Sequence, residues 1–359
     1  MNLELDDDLR LLGESLSGWL AQHLPFERRR EMRDATSQAG LWNEMNAALG
    51  LAGAGLPESW GGFGRGCEAH MVVAEALGAA LAPTPYVESA VLSGTLLESL
   101  QGQDELGAQL AAGRIVITAW EEPQSRGDAT SIGTAARADG NGWKISGLKR
   151  AVRWAGEADA LLVSARTADG PSIFRVALDA PGMDLRAYRL IDDHPASDIT
   201  FSDSPATLLA SGADAADALS RAIDAATAAT CAEGTGLMRT LLDDTIAYTR
   251  ERKQFGQPLA SFQVLQHRMV DMRIAVEESS AAALLAALRA DDPAAVSAAK
   301  TTVGEAVRKI GQEAVQLHGA MGLTEELRVG HYFRRTTAIE NQFGDADRHL
   351  ARYRALKTA

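Results

Sequence analysis

The first third of the chain shows the spacing of amphipathic helices. Apolar residues recur every three or four positions over Leu9–Leu20, and similar patterns cover about 31–49 and 68–110. Residues on one face of an α-helix have this spacing. The segment Gly55–Gly64 interrupts the pattern with glycines and a proline, which favour turns. We therefore expect a helical N-terminal region with a turn near residue 60.

The pattern changes to that of short strands at Gly113. A β-branched run at 114–118 is followed by a strand candidate at 134–137, by Asp139–Gly142 with the composition of a hairpin turn, and by the alternating segment Trp143–Gly147. Further short strands are expected over about 160–165, 172–178 and 197–201. The pattern predicts a small antiparallel, barrel-like β domain.

Helical spacing returns near Ala213 and continues toward the C-terminus. The stripes Phe262–Val276 and Val303–Leu317 alternate spacings of three and four, and 291–293 breaks the helices between them. Narrow stripes of this kind are typical of the seams of an antiparallel bundle. They also contain more apolar surface than one bundle needs, which leads us to expect a tetramer.

Together these patterns predict an α+β protein that is mostly α. Its domains would be an N-terminal helical domain at 1–112, a middle β domain at 113–212 and a C-terminal four-helix bundle at 213–359. A chain of 359 residues is long enough for several cores.

Composition excludes several classes of function. The net charge of −13 disfavours nucleic acid as the main partner. Cys67 and Cys231 have no metal-ligand spacing, so neither a metal site nor a disulfide framework is expected. The acidic N-terminus does not have the composition of a signal peptide, and no apolar run reaches the roughly 18 residues of a membrane span. We expect a cytoplasmic protein.

Two C-terminal segments are not explained by packing alone. In Tyr248–Gln263, cations follow the end of a helix, where its dipole stabilises them, but Arg252 could also bind a pyrophosphate. In Gln316–Glu326, two glycines fit a helix C-cap followed by a turn, and they also permit close approach of another group.

In this order and spacing, the two segments resemble the acyl-CoA dehydrogenase family. The family's R-x-x-F-G-x-P…F-Q motif stands here as Arg252, Phe255, Gly256, Pro258, Phe262 and Gln263. Its Q-x-x-G-G-x-G motif stands as Gln316, Gly319, Ala320 and Gly322, where Ala320 replaces the second glycine. The resemblance extends over Leu9–Tyr353 and includes the helical–β–helical order.

The resemblance implies FAD bound between two subunits and an acyl-CoA thioester as substrate. One subunit supplies the face for the flavin ring, and its neighbour contacts the adenine diphosphate arm. The arm residues implied here are Arg252, Phe255, Gln263, Gln316, Gly319 and Ala320. A carboxylate removes the α-proton while hydride passes from the β-carbon to the flavin. An electron-transfer flavoprotein is the implied electron acceptor.

The family's catalytic carboxylate has no clear counterpart. Counting from Tyr332 puts Gln342 at the base position, and counting from Gly344 puts Phe343 there; Glu340 and Asp345 are the nearest acids. A minority of the family places its base earlier in the chain. That position is Ala226 here, with Asp224 two residues away.

The middle-domain positions that face the flavin also depart from the family. Glu121 stands in place of a threonine, and Ala151-Val152-Arg153 replaces the family's W-I-T. Two interpretations are open: ordinary drift with flavin still bound, or loss of this chain's own flavin face.

The stretch from Met321 to His349 is similar to small subunits of pimeloyl-CoA and steroid side-chain dehydrogenases. The leading hypothesis is a subunit that pairs with a catalytic paralogue in a heterotetramer. A self-sufficient homomeric enzyme with Asp345 or Glu340 as base, and a flavin-free scaffold or acyl-CoA-binding protein, are the alternatives.

Overall fold

The computed structural model describes residues 5–33 and 39–358. By the contacts between their residues, Met1–Asp34, Met71–Ala82 and Thr227–Ala359 form one compact unit, called here the helical unit. Ala35–His70 and Pro83–Ala226 form a second, called the mixed unit. The division into three domains at residues 112 and 212 stays a prediction.

The helical unit is built from eight helices or parts of helices among its described residues. Two of them, α4 and α7, continue into the mixed unit. The helices are α1 (Asp7–His23), α2 (Phe26–Arg33), α4 (Gly66–Ala79), α7 (Gly212–Glu251), α8 (Gln263–Leu288), α9 (Pro293–His318), α10 (Arg328–Asn341) and α11 (Ala346–Thr358). Short 3-10 helices cover Leu259–Ser261 and Gly319–Leu323.

The break between α8 and α9 lies where the sequence predicts it. The carboxylate of Asp292 accepts hydrogen bonds from the backbone N–H groups of Ala294 and Ala295 at 2.9 and 3.4 Å. Pro293 opens α9, at a position where a missing N–H costs nothing. Local chemistry therefore explains the start of α9.

The two apolar stripes of the C-terminal region pack inside the bundle. Met272 and Val276 of α8 and the stripe of α9 from Val303 to Leu317 belong to one buried core. Leu265 and Met269 of the same α8 stripe are only partly buried against this core, and the tetramer stays a prediction. Exposed apolar side chains lie elsewhere on α8, at Val264, Val270 and Ile274.

Helices α4 and α7 cross with their backbones in close contact. A Cβ atom on Gly78 would lie 2.1 Å from the carbonyl oxygen of Glu233, and one on Gly236 would lie 2.0 Å from that of Glu75. No side chain fits at either position, so glycine is required there by the approach of the two backbones.

The mixed unit combines three further helices with a sheet. The helices are α3 (Ala39–Leu49), α5 (Gly94–Glu98) and α6 (Asp104–Ala111), and a π-helical segment covers Val87–Ser93. The strands are β1 (Val116–Ala119), β2 (Ala135–Asp139), β3 (Gly142–Arg153), β4 (Ala160–Thr167), β5 (Gly170–Val176), β6 (Met183–Arg189) and β7 (Pro195–Ser211).

The sheet closes on itself as the barrel-like prediction requires. Its strand order is β1-β4-β2-β3-β7-β5, and β5 also pairs with β4. The predicted hairpin turn joins β2 to β3, with Asp139 opposite Gly142. Most of its strand pairs are antiparallel, as predicted, but β1 pairs with β4 in parallel. The long connection between these strands permits a parallel pair.

Two of the N-terminal segments with helical spacing each extend over more than one helix in the structure. The pattern at 68–110 becomes α4, the π-helical segment, α5 and α6. The pattern at 31–49 covers the end of α2 and the whole of α3, and residues 34–38 between them lie outside the described residues.

Among the described residues, none of the helices combines the length and the apolar character needed to cross a membrane. The same part of the chain contains no group of three or more His, Cys, Asp or Glu side chains arranged to hold a metal ion.

Candidate functional site

The chain beyond α7 turns back through a two-residue hairpin loop. Strands β8 (Lys253–Gln254) and β9 (Gln257–Pro258) pair, with Gln254 opposite Gln257. Phe255 and Gly256 form the loop with φ angles of 53° and 78°. Two consecutive left-handed residues define a type I′ turn. Glycine adopts this conformation freely, whereas in phenylalanine it costs about 1–2 kcal/mol.

Phe255 is exposed despite its size. Its side chain is 92% exposed, and its ring meets that of Phe262 edge-on with centroids 6.1 Å apart. A strained backbone that presents a bare aromatic ring is the kind of feature found at functional surfaces.

Tyr248 connects the two C-terminal motifs. Its ring stacks on His318 at 4.3 Å, and its hydroxyl donates to the carbonyl oxygen of His318 at 3.3 Å. Tyr248 precedes Arg252 by one helical turn, and His318 is followed at once by Gly319, whose φ is 62°. The helical unit thus holds the ends of α7 and α9 side by side.

All six predicted arm residues lie in the helical unit and are exposed. They are Arg252, Phe255, Gln263, Gln316, Gly319 and Ala320. Within residues 5–33 and 39–358, no ion pair to the guanidinium of Arg252 is present. An exposed arginine can bind a pyrophosphate, and an open glycine permits the close approach of another group. Their role in FAD binding stays a prediction.

The usual base position is filled by groups that cannot remove a proton. Phe343 is buried with a left-handed φ of 60°, and Gly344 follows with φ 104°. The side-chain oxygen of Gln342 accepts a hydrogen bond from Arg335 at 3.1 Å. This contact engages the amide of Gln342 within the helical unit, so both candidates for the base position are structural here.

The two nearby acids have other contacts. Asp345 is exposed, and its carboxylate caps α11 by accepting from the backbone N–H of Arg348 at 2.8 Å. The carboxylate of Glu340 pairs with Arg308 at 3.1 Å. Each contact engages one oxygen of its carboxylate, which gives both acids a structural role within the helical unit.

The earlier base position lies on α7 in the mixed unit. Ala226 is fully buried and carries only a methyl group, and the nearby Asp224 is buried as well. The structure therefore puts no carboxylate at Ala226 itself.

The positions expected to face a flavin carry charged groups. Burial raises the pKa of Glu121 to about 7, although the charge of Arg153 acts in the opposite direction. Arg153 donates to Asp192 at 3.0 Å and to His194 at 3.2 Å. The resemblance implies two threonine hydroxyls at these positions. Neither a carboxyl group of raised pKa nor an ion-paired guanidinium is the short, neutral hydroxyl that the resemblance implies.

Buried charge pairs were missed by the sequence reasoning. In the mixed unit, Lys149 donates to Glu122 at 2.6 Å and to Ser164 at 3.0 Å, and both members of the ion pair are buried. In the helical unit, Arg335 pairs with Glu233. No local pattern marks either pair, because the partners are far apart in the sequence.

Family comparisons cover most of the chain. Residues 6–106 match the N-terminal domain of acyl-CoA dehydrogenases, 118–204 the middle domain and 216–353 the C-terminal domain.

Individual relatives and solved structures are similar to this chain over most of its length. A probable acyl-CoA dehydrogenase, FadE25 of Mycobacterium tuberculosis, is 30% identical over 301 residues, which cover 78% of this chain and 77% of FadE25. A chain of the Tcur3481-Tcur3483 steroid ACAD is 31% identical with a TM-score of 0.90, covering 98% of both chains. A chain of the ChsE4-ChsE5 complex from Mycobacterium tuberculosis is 28% identical with a TM-score of 0.89, covering 98% of this chain and 97% of that chain.

A helical region, a closed sheet and a helical bundle in this order, with the two C-terminal motifs joined at Tyr248, define a flavoprotein class of oxidoreductase. The chain belongs to the acyl-CoA dehydrogenase family. FAD is the cofactor of that family.

Proposed function

We propose that this chain is a subunit of an FAD-dependent acyl-CoA dehydrogenase and lends its arm residues to a catalytic paralogue. The reaction is α,β-desaturation of an acyl-CoA thioester. In the assembly, a carboxylate of the paralogue would take the α-proton, and FAD, when bound, would supply the acceptor for the hydride of the β-carbon. An electron-transfer flavoprotein reoxidises the flavin.

The single observation that carries this proposal is a contrast within the chain. The groups that one subunit offers to its neighbour's FAD are exposed, and Tyr248 holds their two segments together. The groups needed for the chain's own chemistry are replaced, with Phe343 buried at the base position. If the whole chain had lost its function, we would expect the exposed arm residues to be replaced as well.

An assembly also accounts for the apolar surface around the hairpin. Phe255 and Val264 are 92% and 66% exposed, and a partner that covers them would remove apolar area from water. Phe255 lies in the hairpin loop three residues after Arg252, so a partner that covers this ring also meets the segment that carries the guanidinium. The assembly proposed here is a heterotetramer of two such pairs, in line with the heteromeric members of the family.

The substrate class is inferred from relatives. Two structurally similar proteins are a steroid ACAD and the ChsE4-ChsE5 complex, and the second is a complex of two different chains. We extend both properties to this chain. Its substrate carries an acyl group attached to a steroid, which is degraded as a lipid, and its partner subunit is a different chain.

The alternatives make different use of the same residues. A self-sufficient enzyme would need Asp345 or Glu340 to leave its present contact and reach the substrate. A flavin-free scaffold would retain the exposed arm residues without a use for them. The first would be active alone, and the second would remain colourless in every assembly.

The test is purification of the chain alone and together with a family paralogue that has the catalytic glutamate. Flavin absorbance and turnover of acyl-CoA thioesters with an artificial electron acceptor are measured for both. We expect flavin and turnover only in the co-purified assembly. Turnover by the chain alone would contradict the proposal.

Arg252→Ala tests the arm within that assembly, and Arg250→Ala is the matched control. Both arginines are exposed at the end of α7. Loss of a charge-assisted contact of about 1.5–3 kcal/mol weakens FAD binding about 10- to 100-fold. We expect Arg252→Ala to release FAD on dilution and Arg250→Ala to retain it. Equal retention would refute the assignment of Arg252.

A further inference from the structure

A cavity separate from the arm residues lies wholly within the helical unit. It has a volume of about 320 Å³ and is formed by α1, α2, the end of α4 and the start of α10. Its walls are mostly apolar, with Leu20, Leu24 and Ala76 among them, and Arg29, Arg328 and Tyr332 supply polar groups. An apolar pocket with a few convergent polar groups is the usual form of a small-molecule site.

The polar groups of this cavity are held in place before any ligand arrives. Arg29 is 6% exposed, and its guanidinium donates to the carbonyl oxygen of Leu81 at 3.3 Å. The hydroxyl of Tyr332 donates to the carbonyl oxygen of Ala79 at 2.5 Å. Arg328 is fixed by a two-point contact with Asp244, one bond of which measures 2.5 Å. Groups ordered in advance reduce the entropic cost of binding.

His331 sets the orientation of Arg29. The Nδ1 atom of His331 lies 2.7 Å from Arg29 and 3.0 Å from Arg334, and both arginines can only donate. Nδ1 therefore carries a lone pair, and the ring is neutral with its proton on Nε2. Burial lowers the pKa of His331, and the charge of Arg29 lowers it further. A neutral ring accepts a hydrogen bond from Arg29 and adds no charge of its own beside it.

The shape and charge of the cavity define a ligand class. A volume of 320 Å³ corresponds to roughly ten water molecules, at about 30 Å³ each in the liquid. A planar guanidinium matches a carboxylate, and the apolar walls match a hydrocarbon chain. In a chain of net charge −13, Arg29 brings a positive charge to this cavity, whereas the charge of Arg328 is balanced by Asp244.

We propose that this cavity binds a medium-chain carboxylate, with the carboxylate at Arg29 and the hydrocarbon chain along the apolar walls. None of the six arm residues and neither base position lines it. The site is therefore separate from the FAD arm, and its occupation does not depend on the proposed function.

The test uses the full chain and octanoate, which has ten non-hydrogen atoms, as the calorimetric titrant. Octan-1-ol is the neutral control of the same length. Arg29→Gln removes the charge, and Ala76→Leu fills the apolar wall. Arg354→Gln and Ala355→Leu are the matched controls, because both residues are exposed on α11 and do not line the cavity.

We expect saturable binding of octanoate and at least tenfold weaker binding of octan-1-ol. Arg29→Gln weakens octanoate binding about tenfold, Ala76→Leu abolishes it, and both controls bind as the unaltered chain does. Failure of the unaltered chain to bind octanoate, or undiminished binding by Ala76→Leu or by a folded Arg29→Gln, overturns the proposal. If Arg29→Gln does not fold, the Ala76→Leu result decides.

Discussion

Arg335 and Glu233 form a two-point ion pair inside the helical unit. Nε of Arg335 lies 2.6 Å from Oε1 of Glu233, and Nη2 lies 2.6 Å from Oε2. The arginine is 2% exposed and the glutamate 8%. The pair joins α10 to α7, and the same guanidinium holds Gln342 at the base position. A structural pair thus orders the segment in which the resemblance puts the family's catalytic carboxylate.

Removal of one partner from this pair should be costly. Arg335→Met leaves the carboxylate of Glu233 buried without its counter-charge, which destabilises a fold by about 3–5 kcal/mol. We expect a large drop in the denaturant midpoint of Arg335→Met and a smaller one in the double variant Glu233→Gln/Arg335→Met. The exposed Arg354→Met serves as control. A double variant as unstable as the single one would show that the loss is one of packing.

The pair between Glu122 and Lys149 should make stability depend on pH. Burial acts to raise the pKa of Glu122, but the charge and hydrogen bond of Lys149 outweigh it and lower the pKa from 4.5 to about 2. As pH falls, the unfolded chain therefore takes up this proton first, and stability is lost between about pH 4.5 and pH 2. Denaturant unfolding of the unaltered chain and of Glu122→Gln measures the difference. An equal slope with pH in both over this range would exclude the effect.

Close backbone approach should make Gly78 intolerant of a side chain. Gly78→Ala puts a Cβ atom 2.1 Å from the carbonyl oxygen of Glu233, so α4 and α7 must move apart at a cost of about 3 kcal/mol. Gly18 in α1 has no atom within 4 Å of such a Cβ, and Gly18→Ala should stabilise by about 0.5–1 kcal/mol. Thermal melts of both variants test the opposite signs. A stable Gly78→Ala protein would show that this crossing is not tight.

The exposed ring of Phe255 should matter for assembly and not for the stability of the chain itself. Phe255→Ser removes an aromatic group that contacts little within the chain. An aromatic ring that is covered at an interface often contributes about 2 kcal/mol to binding. We expect sedimentation to show weaker association, with an unchanged melting temperature for the isolated chain. Leu11→Ser, at another exposed apolar position, is the control. Unchanged association of the Phe255→Ser variant would show that the interface does not include this ring.

Asp345 should behave as a helix cap and not as a catalytic base. Asparagine caps a helix as well as aspartate does, so Asp345→Asn should leave both stability and the turnover of the assembly unchanged. Asp345→Ala should cost about 1 kcal/mol of stability through loss of the bond from Arg348. Turnover that disappears in Asp345→Asn would identify Asp345 as the base and favour the self-sufficient enzyme.

Features that depend on neighbouring residues could be predicted from the sequence. The spacing of apolar residues distinguishes helices from strands, because each conformation repeats its side-chain direction with its own period. Asp139–Gly142 and Asp292-Pro293 have the local chemistry of a turn and a helix start, and the structure confirms both. The two C-terminal motifs also identified the family, since their order and spacing are properties of the sequence.

Features that depend on distant residues required the tertiary structure. The spacing of the α8 and α9 stripes indicates helices but does not say what covers them, and the structure shows that they cover each other. The parallel pairing of β1 with β4, the approach of α4 to α7 and the ion pair of Arg335 with Glu233 join segments separated by about 40 to 160 residues. Local spacing determines the conformation of a segment. Which segments meet depends on how they pack, and this packing decides which charges become buried pairs.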